Sequence, residues 1–408
     1  MTKIRKRPDI ARKRASSPIF KCKLNICPIA QLKGLNVMSN VIRVIKKNVV
    51  LAVACVAALI TCFFVPIDKQ YLDYFEEKTL MSLFSILAVV SGLKRTNIFE
   101  IISRKMISFF HTERNVILSL IFGTFVFDLI VANDMSLITF LPLTFIVLNT
   151  TNNRKYMMFT FIMQTIAANM AGMITPHGNP QNLFLYSYFN IPTAEFVKIL
   201  LPQFIITALL LFVITTIRIP KKKLEMENKD HVEVNKPNVI VYAVLFALTI
   251  ASIFRVIPHI IPFVTVAAVV IFYDRKTFPD IDFGLLLTFC MFFVFSGNMA
   301  RIPQIQTLFS DMVNRNTLLA GIVSCQFISN VPTAIFLSRF TNKYGELVAA
   351  VNLGSLGIMI SSLASLITLK EFQKHEQGKF LKYLGMYTLI NTLFFIVLLA
   401  SYLIPKLF

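Results

Sequence analysis

The sequence predicts an all-α polytopic membrane protein, and three observations support this fold class. Of the 408 residues, 56% are hydrophobic and only 15% are charged, whereas a soluble domain carries about 25% charged residues. The mean hydropathy is +0.68. Apolar runs recur at close to the roughly 20 residues that a membrane helix needs. The candidate spans are 49–66, 79–93, 155–173, 195–219, 238–256, 257–273, 281–300, 345–367 and 381–406.

Residues 1–47 are predicted to form a basic cytoplasmic arm. This segment holds thirteen Lys or Arg residues and one acid, Asp9, and it lacks the apolar run of a signal peptide. The net charge of +20 therefore reflects the positive-inside rule and does not indicate a nucleic-acid partner. We expect a multi-pass protein of the plasma or inner membrane, with the lipid bilayer as its partner and a cytoplasmic N-terminus.

The segment 115–150 is too polar at its centre for a simple span. Asn133 and Asp134 interrupt it, and basic residues lie at both ends, at Arg114 and Arg154. Because basic loops favour the cytoplasm, both ends lie on one side, which predicts a re-entrant helical hairpin. Irregular backbone at membrane depth is tolerated where it is buried in protein or lines a cavity.

The second half of the chain repeats the order of the first. The stretch LFSILAVVSGLKRTNIFEII (83–102) resembles LLTFCMFFVFSGNMARIPQI (286–305). Each is followed by an apolar segment with a polar centre, VANDMSLITFLP (131–142) or ISNVPTAIFLS (328–338). A span broken by glycine comes next, at ITPHGNP in the first half and NLGSLG in the second.

The two halves are expected to have opposite orientations, because the span 238–256 is an extra crossing. This arrangement predicts an inverted repeat with two re-entrant hairpins and two discontinuous transmembrane helices, as in transporters that bind substrate at the midplane. The first membrane repeat is 48–219, and 220–237 is a cytoplasmic linker. The second repeat is 238–408, with one extra leading helix.

The motif ITPHGNPQNLF (174–184) predicts a helix break that binds a ligand. Pro176 and Pro180 lack a backbone N–H, and Gly178 can adopt the left-handed conformation that an abrupt break needs. Unwound backbone exposes carbonyls and half-helix ends that coordinate Na⁺ or anions. A simple kink is the alternative, and two prolines, a glycine and three amides within eight residues favour a site.

Polar residues also mark the two hairpin tips, at Asn133 with Asp134 and at Ser329 with Asn330. An ionisable group within a membrane segment indicates function. Asp134 is therefore the strongest single candidate, either to carry a coupling proton or to ligate Na⁺.

Asp128 and His177 are further candidates for a proton relay, and each has a structural alternative. Asp128 lies in VFDLIVAND, where a structural hydrogen bond and a proton relay both remain open. His177 can titrate near neutral pH, although a histidine within a polar loop more commonly forms local hydrogen bonds.

Other function classes lack the residues they require. An intramembrane enzyme needs aspartates on facing spans or a His-Glu-x-x-His motif, and the sequence contains neither. A passive channel needs rings of charge or filter repeats. The six cysteines have no metal-ligand spacing, so we expect no enzyme activity, no cofactor and no metal beyond Na⁺.

The four motifs ITPHGNPQNLFLYS, ANDMSLITFLP, FISNVPTAIFLS and NLGSLGIMISSLASLI together resemble the ion transporter superfamily. This group includes the divalent anion/sodium symporters, citrate permeases and arsenite permeases, and the resemblance covers about residues 45–406. It implies elevator-type alternating access, with 97–112 and 303–313 as horizontal helices that join each hairpin to a scaffold helix.

The resemblance also implies roles for particular residues. Substrate binding falls to residues at the tips: Asn133, Ser136, Ser329, Asn330 and Thr333. The cation or proton site falls to Asp134 and the breaks: Thr175, Gly178, Asn179, Gly354, Ser355 and Gly357. Ala132 and Asp134 stand where the symporters have serine and threonine, which argues against a dicarboxylate. The expected substrate is a small anion such as a carboxylate, or an oxyanion or metalloid.

The resemblance leaves three points open. The coupling ion is Na⁺ or H⁺, with the Asn-Asp tip favouring H⁺. A cation/proton antiporter of the same superfamily is the alternative function. Whether the protein forms a homodimer is also left open.

Overall fold

The computed structural model describes residues 49–99, 101–102, 110–131, 133–223 and 236–406. Within these ranges the chain is helical, and the only strand-like pairing found there is an isolated bridge between Thr112 and Lys223. The basic arm 1–47, most of the linker 220–237 and the centre of the segment 97–112 lie outside the described residues. Their predicted roles stay predictions.

Among the described residues, seven α-helices precede the linker. They are α1 (Val49–Cys62), α2 (Glu77–Arg95), α3 (Glu113–Asp128), α4 (Asn133–Thr150), α5 (Met157–Ala171), α6 (Pro180–Tyr188) and α7 (Thr193–Arg218).

Nine α-helices follow it within the range 236–406 that the structure describes. They are α8 (Lys236–Ile253), α9 (Ile260–Ala268), α10 (Phe283–Arg301), α11 (Pro303–Arg315), α12 (Thr317–Ile328), α13 (Asn330–Leu337), α14 (Tyr344–Leu353), α15 (Leu363–His375) and α16 (Phe380–Leu403).

The prediction of an all-helical, multi-pass membrane protein is confirmed. Among the described residues, four helical stretches are long and apolar enough to cross a membrane: Arg154–Ile174, Thr193–Arg218, Phe283–Arg301 and Phe380–Leu403. On α7 and α16, large apolar side chains such as Phe212 and Ile396 face outward. Such an outward face is stable against lipid and would not be stable in water.

Helix α5 lies at the centre of the molecule, and nearly all of its side chains are buried. Its polar side chains bind neighbouring helices. The Gln164 amide donates to Leu120 O at 3.2 Å and to Thr124 Oγ1 at 3.0 Å, and Thr165 Oγ1 donates to Thr368 Oγ1 at 2.8 Å. A helix buried on all sides needs such bonds, because an unpaired polar group in an apolar interior is destabilising.

The chain interrupts its helices at the four places that the sequence predicts. Helix α3 ends at Asp128 and α4 begins at Asn133, while Ser329 alone separates α12 from α13, with φ at +71°. Helix α5 ends at Ala171, and α6 resumes with Pro180 at its first position, where a missing N–H is tolerated. Helix α14 ends at Leu353, and α15 begins at Leu363.

Charged contacts between loops gather in two groups. In the first group, Arg301 binds both carboxylate oxygens of Asp68, at 2.6 and 3.0 Å, and these hydrogen bonds lower the pKa of Asp68. In the second, Arg154 donates to Glu376 at 2.6 Å, and Arg95 donates to Asp280 at 2.7 Å. Hydrogen bonds from Lys379 and Arg154 lower the pKa of Glu376.

Candidate functional site

Four polar segments form the candidate site. The first tip is Asn133 and Asp134, the second tip is Ser329 and Asn330, the first break is 172–179, and the second break is 354–362. Each tip bonds to one break. The backbone N–H of Asn133 donates to Gly178 O at 3.2 Å, and Ser329 Oγ donates to Ser361 O at 3.3 Å.

Two asparagines join the breaks to each other. Asn169 Oδ1 accepts from Asn133 Nδ2 at 3.0 Å and from Ser362 Oγ at 2.7 Å. Asn352 Nδ2 donates to Asn182 Oδ1 at 2.7 Å. The first tip and the two breaks therefore form one hydrogen-bonded cluster, which the second tip joins through Ser361.

Asn169 and Asn352 are residues that the sequence analysis did not identify. Both are buried in apolar helices and lie shortly before a glycine of a break, Gly172 or Gly354. An amide shortly before a glycine was the signal in the sequence that could have identified them. Each asparagine, however, has a hydrogen-bonding partner more than one hundred residues away along the chain.

At the first break, Gly172 and Gly178 pack closely together, and side-chain oxygens surround their contact. A Cβ on Gly172 would lie 2.8 Å from Asp128 Oδ2 and 2.9 Å from the Asn179 amide. A Cβ on Gly178 would meet Thr175 Oγ1, and it would lie 2.8 Å from Gly172 O. Asp128, Thr175 and Asn179 thus surround the contact between these glycines.

Gly178 does not adopt the left-handed conformation that the sequence analysis considered for it. Among the described glycines, only Gly357 and Gly378 have positive φ. Glycine is required at 178 because the backbone of Gly172 and the Thr175 side chain leave no room for a Cβ. The left-handed backbone occurs in the second break, where Gly357 has φ at +131°.

Several buried oxygens around the first break have no hydrogen-bonding partner among the described residues. They are Asp128 Oδ2, Asn133 Oδ1, Thr175 Oγ1 and Asn179 Oδ1. The Gly172 amide faces the Asp128 carboxylate, but Oδ2 has no partner in hydrogen-bond geometry. Oxygen ligands suit hard cations, and carbonyls of unwound helices coordinate Na⁺ in transporters. This set fits a small cation or a proton.

The part of the chain that the structure describes contains no group of three or more His, Cys, Asp and Glu side chains that could hold a metal ion. A cation at the first break would therefore rely on amide and hydroxyl oxygens beside the single carboxylate of Asp128. Such a ligand set is typical of weakly bound ions that exchange readily.

The second break is filled by a side chain. Gln326 donates to Gly354 O at 2.8 Å and accepts from the Ile358 amide at 3.1 Å. Ser355 Oγ donates to Asn352 O at 2.6 Å, and a Cβ on Gly354 would lie 3.0 Å from Cys325 Cβ. Apart from Asn352 Oδ1, the buried side-chain oxygens here have partners.

The seven residues predicted for one cation or proton site are therefore divided by the structure. Thr175, Gly178 and Asn179 lie at the first break, beside Asp128. Gly354, Ser355 and Gly357 lie at the second break, beside Cys325 and Gln326. Asp134 is the first-turn acid of α4, is half-buried, and makes no side-chain hydrogen bond to any described residue.

The residues predicted to bind substrate differ in availability. Ser136 Oγ is buried and donates to Asp128 Oδ1 at 3.1 Å and to Asn133 O at 2.8 Å. Thr333 Oγ1 donates to Ser329 O at 2.7 Å. Asn330 Oδ1 accepts from the Val331 amide at 2.9 Å, while its Nδ2 donates no hydrogen bond within the described ranges. The Asn330 side-chain amide is thus free to donate, whereas the Asn133 amide and the two hydroxyls are engaged.

His177 packs beneath the first hairpin. Its Nε2 lies 3.1 Å from Leu129 O, and its ring stands edge-on to Phe254 at 6.1 Å between centroids. Its Nδ1 is buried without a partner among the described residues. This contact connects the break to the end of α3, and the proton-relay role stays a prediction.

Known proteins share this sequence pattern. The pattern of the citrate transporter family matches residues 37–342, a range that includes both tips and the first break. The chain is 29% identical over 296 residues to “Uncharacterized transporter MJ0456” of Methanocaldococcus jannaschii, covering 72% of this chain and 81% of that protein. It is 25% identical over 315 residues to “Inner membrane protein YbiR” of Escherichia coli, covering 76% and 83% respectively.

Proposed function

The chain belongs to the citrate transporter family, and from that membership we propose a secondary active transporter that couples a small anion to a Na⁺ or H⁺ gradient. The family and the transporter names of the relatives establish a membrane transporter. The anion, either a carboxylate or an oxyanion, and its coupling to a cation are the proposal.

The observation that carries this proposal is the bonded cluster of tips and breaks. Four segments spread over about 230 positions of an apolar chain bring their amides and hydroxyls together, through Asn133, Asn169, Ser329 and Ser362. Polar groups at membrane depth are destabilising unless they serve a function or are paired. Convergence of tips and breaks is expected of a substrate site at the midplane.

Equal spacing in the two halves supports an inverted repeat. Asp128 and Ser136 flank Asn133 by five positions before and three after, as Cys325 and Thr333 flank Asn330. Asp128 packs against Gly172, as Cys325 packs against Gly354. The same side-chain arrangement thus occurs around both tips.

The charge of the site supports coupling to a cation. Asp128 and Asp134 bring two carboxylates, and none of the hydrogen bonds within the cluster comes from Lys or Arg among the described residues. An anion at Asn133, Ser329 and Asn330 is repelled by these acids unless a cation or proton neutralises them. Cation binding at the first break therefore favours anion binding at the tips, and this linkage is reciprocal.

The two groups of loop contacts support the proposed orientation. Positive-inside reasoning assigns Arg95, Arg154, Asp280 and Glu376 to the cytoplasmic side. Among the described residues, their ion pairs are with one another or with the near neighbour Lys379. The loops assigned to the other side likewise pair together, as in Arg301 with Asp68.

We propose elevator-type alternating access for the movement. The hairpins and broken helices (α3–α6 and α12–α15) form the moving unit. Helix α11 connects α10 to the second hairpin, as a horizontal arm of such a unit would.

A cation/proton antiporter is the second candidate function. The observation that favours it is that two acids lie near the first break without a fixed positive charge in the cluster. An antiporter would exchange cations whether or not an anion is present.

The test uses purified protein in liposomes, screened against an anion panel under imposed Na⁺ or H⁺ gradients. The proposal predicts gradient-driven uptake and counterflow of one anion class. Asp134→Asn should abolish or uncouple that uptake while the protein still inserts, whereas Asp73→Asn, at an exposed acid of the α1–α2 loop, should behave as wild type. Full gradient-driven uptake by Asp134→Asn would refute the assignment. Cation exchange without any anion would favour the antiporter.

A further inference from the structure

An open groove lies between helices α11 and α12, away from the tips and breaks. Its volume is about 570 Å³, within the roughly 300–1,000 Å³ of ligand sites. Its walls are apolar and are formed by Leu308, Met312, Leu319, Ala320 and Val323. Leu308 and Leu319 are 62% and 57% exposed. In a membrane protein, such exposure is exposure to lipid.

Two charged side chains of opposite sign also line the groove. They are Asp311 and Arg315, and Asn316 lines the groove with them. Neither charged group forms an ion pair or side-chain hydrogen bond with any residue that the structure describes. Lys343 adds positive charge nearby, since its Nζ donates to Asn314 O at 2.8 Å.

We propose that this groove binds one phospholipid that carries a primary-amine headgroup. The acyl chain lies along the apolar walls, the phosphate accepts hydrogen bonds from Arg315, and the ammonium group donates to Asp311. A guanidinium suits phosphate because it presents paired N–H donors. Asp311 favours a headgroup with an amine. An anionic headgroup would leave the Asp311 carboxylate without a partner and would be repelled by it.

The alternatives explain fewer of these features. A free phosphate ion leaves the apolar walls uncovered. A second copy of the chain would bury both charged groups, and buried unpaired charges are strongly unfavourable. A single zwitterionic lipid satisfies the walls and both charges.

This site is independent of the transported substrate, but it lies on the element that carries the second tip. Helix α12 runs from Asn316, whose side chain caps the helix by accepting from the Leu319 amide at 2.8 Å, to Ser329 at the tip. A lipid between α11 and α12 supports the second hairpin against the arm.

The experiment measures lipid retained by the purified full-length protein. The protein is reconstituted in vesicles that contain equal parts of phosphatidylethanolamine, phosphatidylcholine and phosphatidylglycerol, and retained lipid is quantified by native mass spectrometry. We expect one phosphatidylethanolamine per chain. Arg315→Gln should lower its retention about tenfold or more, since it removes a charge-assisted contact. Asp311→Asn should abolish the preference for the primary amine while total lipid stays bound.

Two further variants separate the site from general effects. Ala320→Phe fills the groove and keeps both charges, so it should release the lipid. Arg218→Gln removes an exposed guanidinium at the end of α7 and should retain lipid as wild type does. Equal retention by wild type, Arg315→Gln and Ala320→Phe would overturn the proposal. So would binding of inorganic phosphate alone, or a cross-linked dimer that covers Arg315.

Discussion

The two breaks have matching layouts and different chemistry. In the first, the acid Asp128 packs against Gly172, and the oxygens of Thr175 and Asn179 are buried without partners among the described residues. In the second, the thiol of Cys325 packs against Gly354, and Gln326 occupies the released backbone groups. The first break therefore keeps buried oxygens that are unpaired among the described residues, whereas Gln326 already pairs with the released backbone groups of the second break.

This difference shows how a repeated architecture can provide a site with one cation position. Polar groups left unpaired in an apolar interior destabilise a fold by about 1–3 kcal/mol each. Such groups persist where a ligand pairs with them. In the second break these groups are paired, which makes the break rigid. The second tip is positioned against it by the hydrogen bond from Ser329 to Ser361.

The largest effect on transport is expected from replacing Asp128, the acid for which the second break has Cys325 instead. Asp128→Asn removes the carboxylate of the first break, and loss of a buried charge partner costs about 3–5 kcal/mol. We expect gradient-driven uptake into liposomes to fall about a hundredfold or more. Cys325→Ala, at the matching position, should stay within about twofold of wild type because it removes no oxygen ligand. Comparable losses in both variants would remove the distinction.

A methyl group added at each break should have different consequences. Gly172→Ala places a Cβ between Asp128 and Asn179, so the concentration of coupling cation that half-saturates uptake should rise about tenfold. Gly354→Ala crowds Cys325 and should lower the free energy of unfolding by about 1–3 kcal/mol, with an unchanged cation dependence. Gly345→Ala, which has open space around it, is the matched control for both measurements.

Removing the side chain that fills the second break should affect stability alone. Gln326→Leu leaves Gly354 O and the Ile358 amide without their partner, a loss of about 1–3 kcal/mol. Thermal unfolding in detergent should show the decrease, while the cation dependence of uptake matches wild type. A changed cation dependence in Gln326→Leu would place the cation at the second break.

The smallest effect is a pH dependence far from both breaks. Arg301 lowers the pKa of Asp68 from its ordinary 3.8. Because the folded pKa lies below the unfolded one, the contribution of this pair is fully present above the unfolded value and is lost as the pH falls through the folded value. The difference in melting temperature between wild type and Asp68→Asn should therefore shrink as the pH falls below 3.8 and disappear below the folded pKa of Asp68. A difference that grew on acidification would contradict the assigned pairing.

The sequence predicted the positions of the interruptions because their causes are local. Pro180, Ser329 and the glycines of NLGSLG act on their own stretch of backbone. Pro180 begins α6, Ser329 separates α12 from α13, and α14 ends at Leu353, next to the first of these glycines. The apolar runs likewise identified a helical membrane protein without reference to tertiary contacts.

The assembly of the site depended on contacts that no local pattern encodes. Asn169 acquires its role from Ser362, and Asn352 from Asn182, each pair more than 160 positions apart. Gln326 could be recognised as filling the second break only from its distances to Gly354 and Ile358. The close packing that requires glycine at 178 likewise depends on Gly172 and Thr175, whose approach no local pattern shows.

The central claim is that the coupling cation binds at the first break, and binding to the substrate-free protein tests it most directly. Thermal unfolding is measured while Na⁺ is titrated at fixed pH, and while pH is varied at fixed Na⁺. A ligand that binds only the folded state stabilises it by about 2.7 kcal/mol at one hundred times its dissociation constant. The prediction is that wild type and Cys325→Ala gain equal stability from Na⁺ or H⁺. Asp128→Asn should lack this gain while keeping the pH dependence that other groups such as Asp68 give all three proteins. Equal stabilisation of Asp128→Asn, or its loss in Cys325→Ala, would contradict the claim.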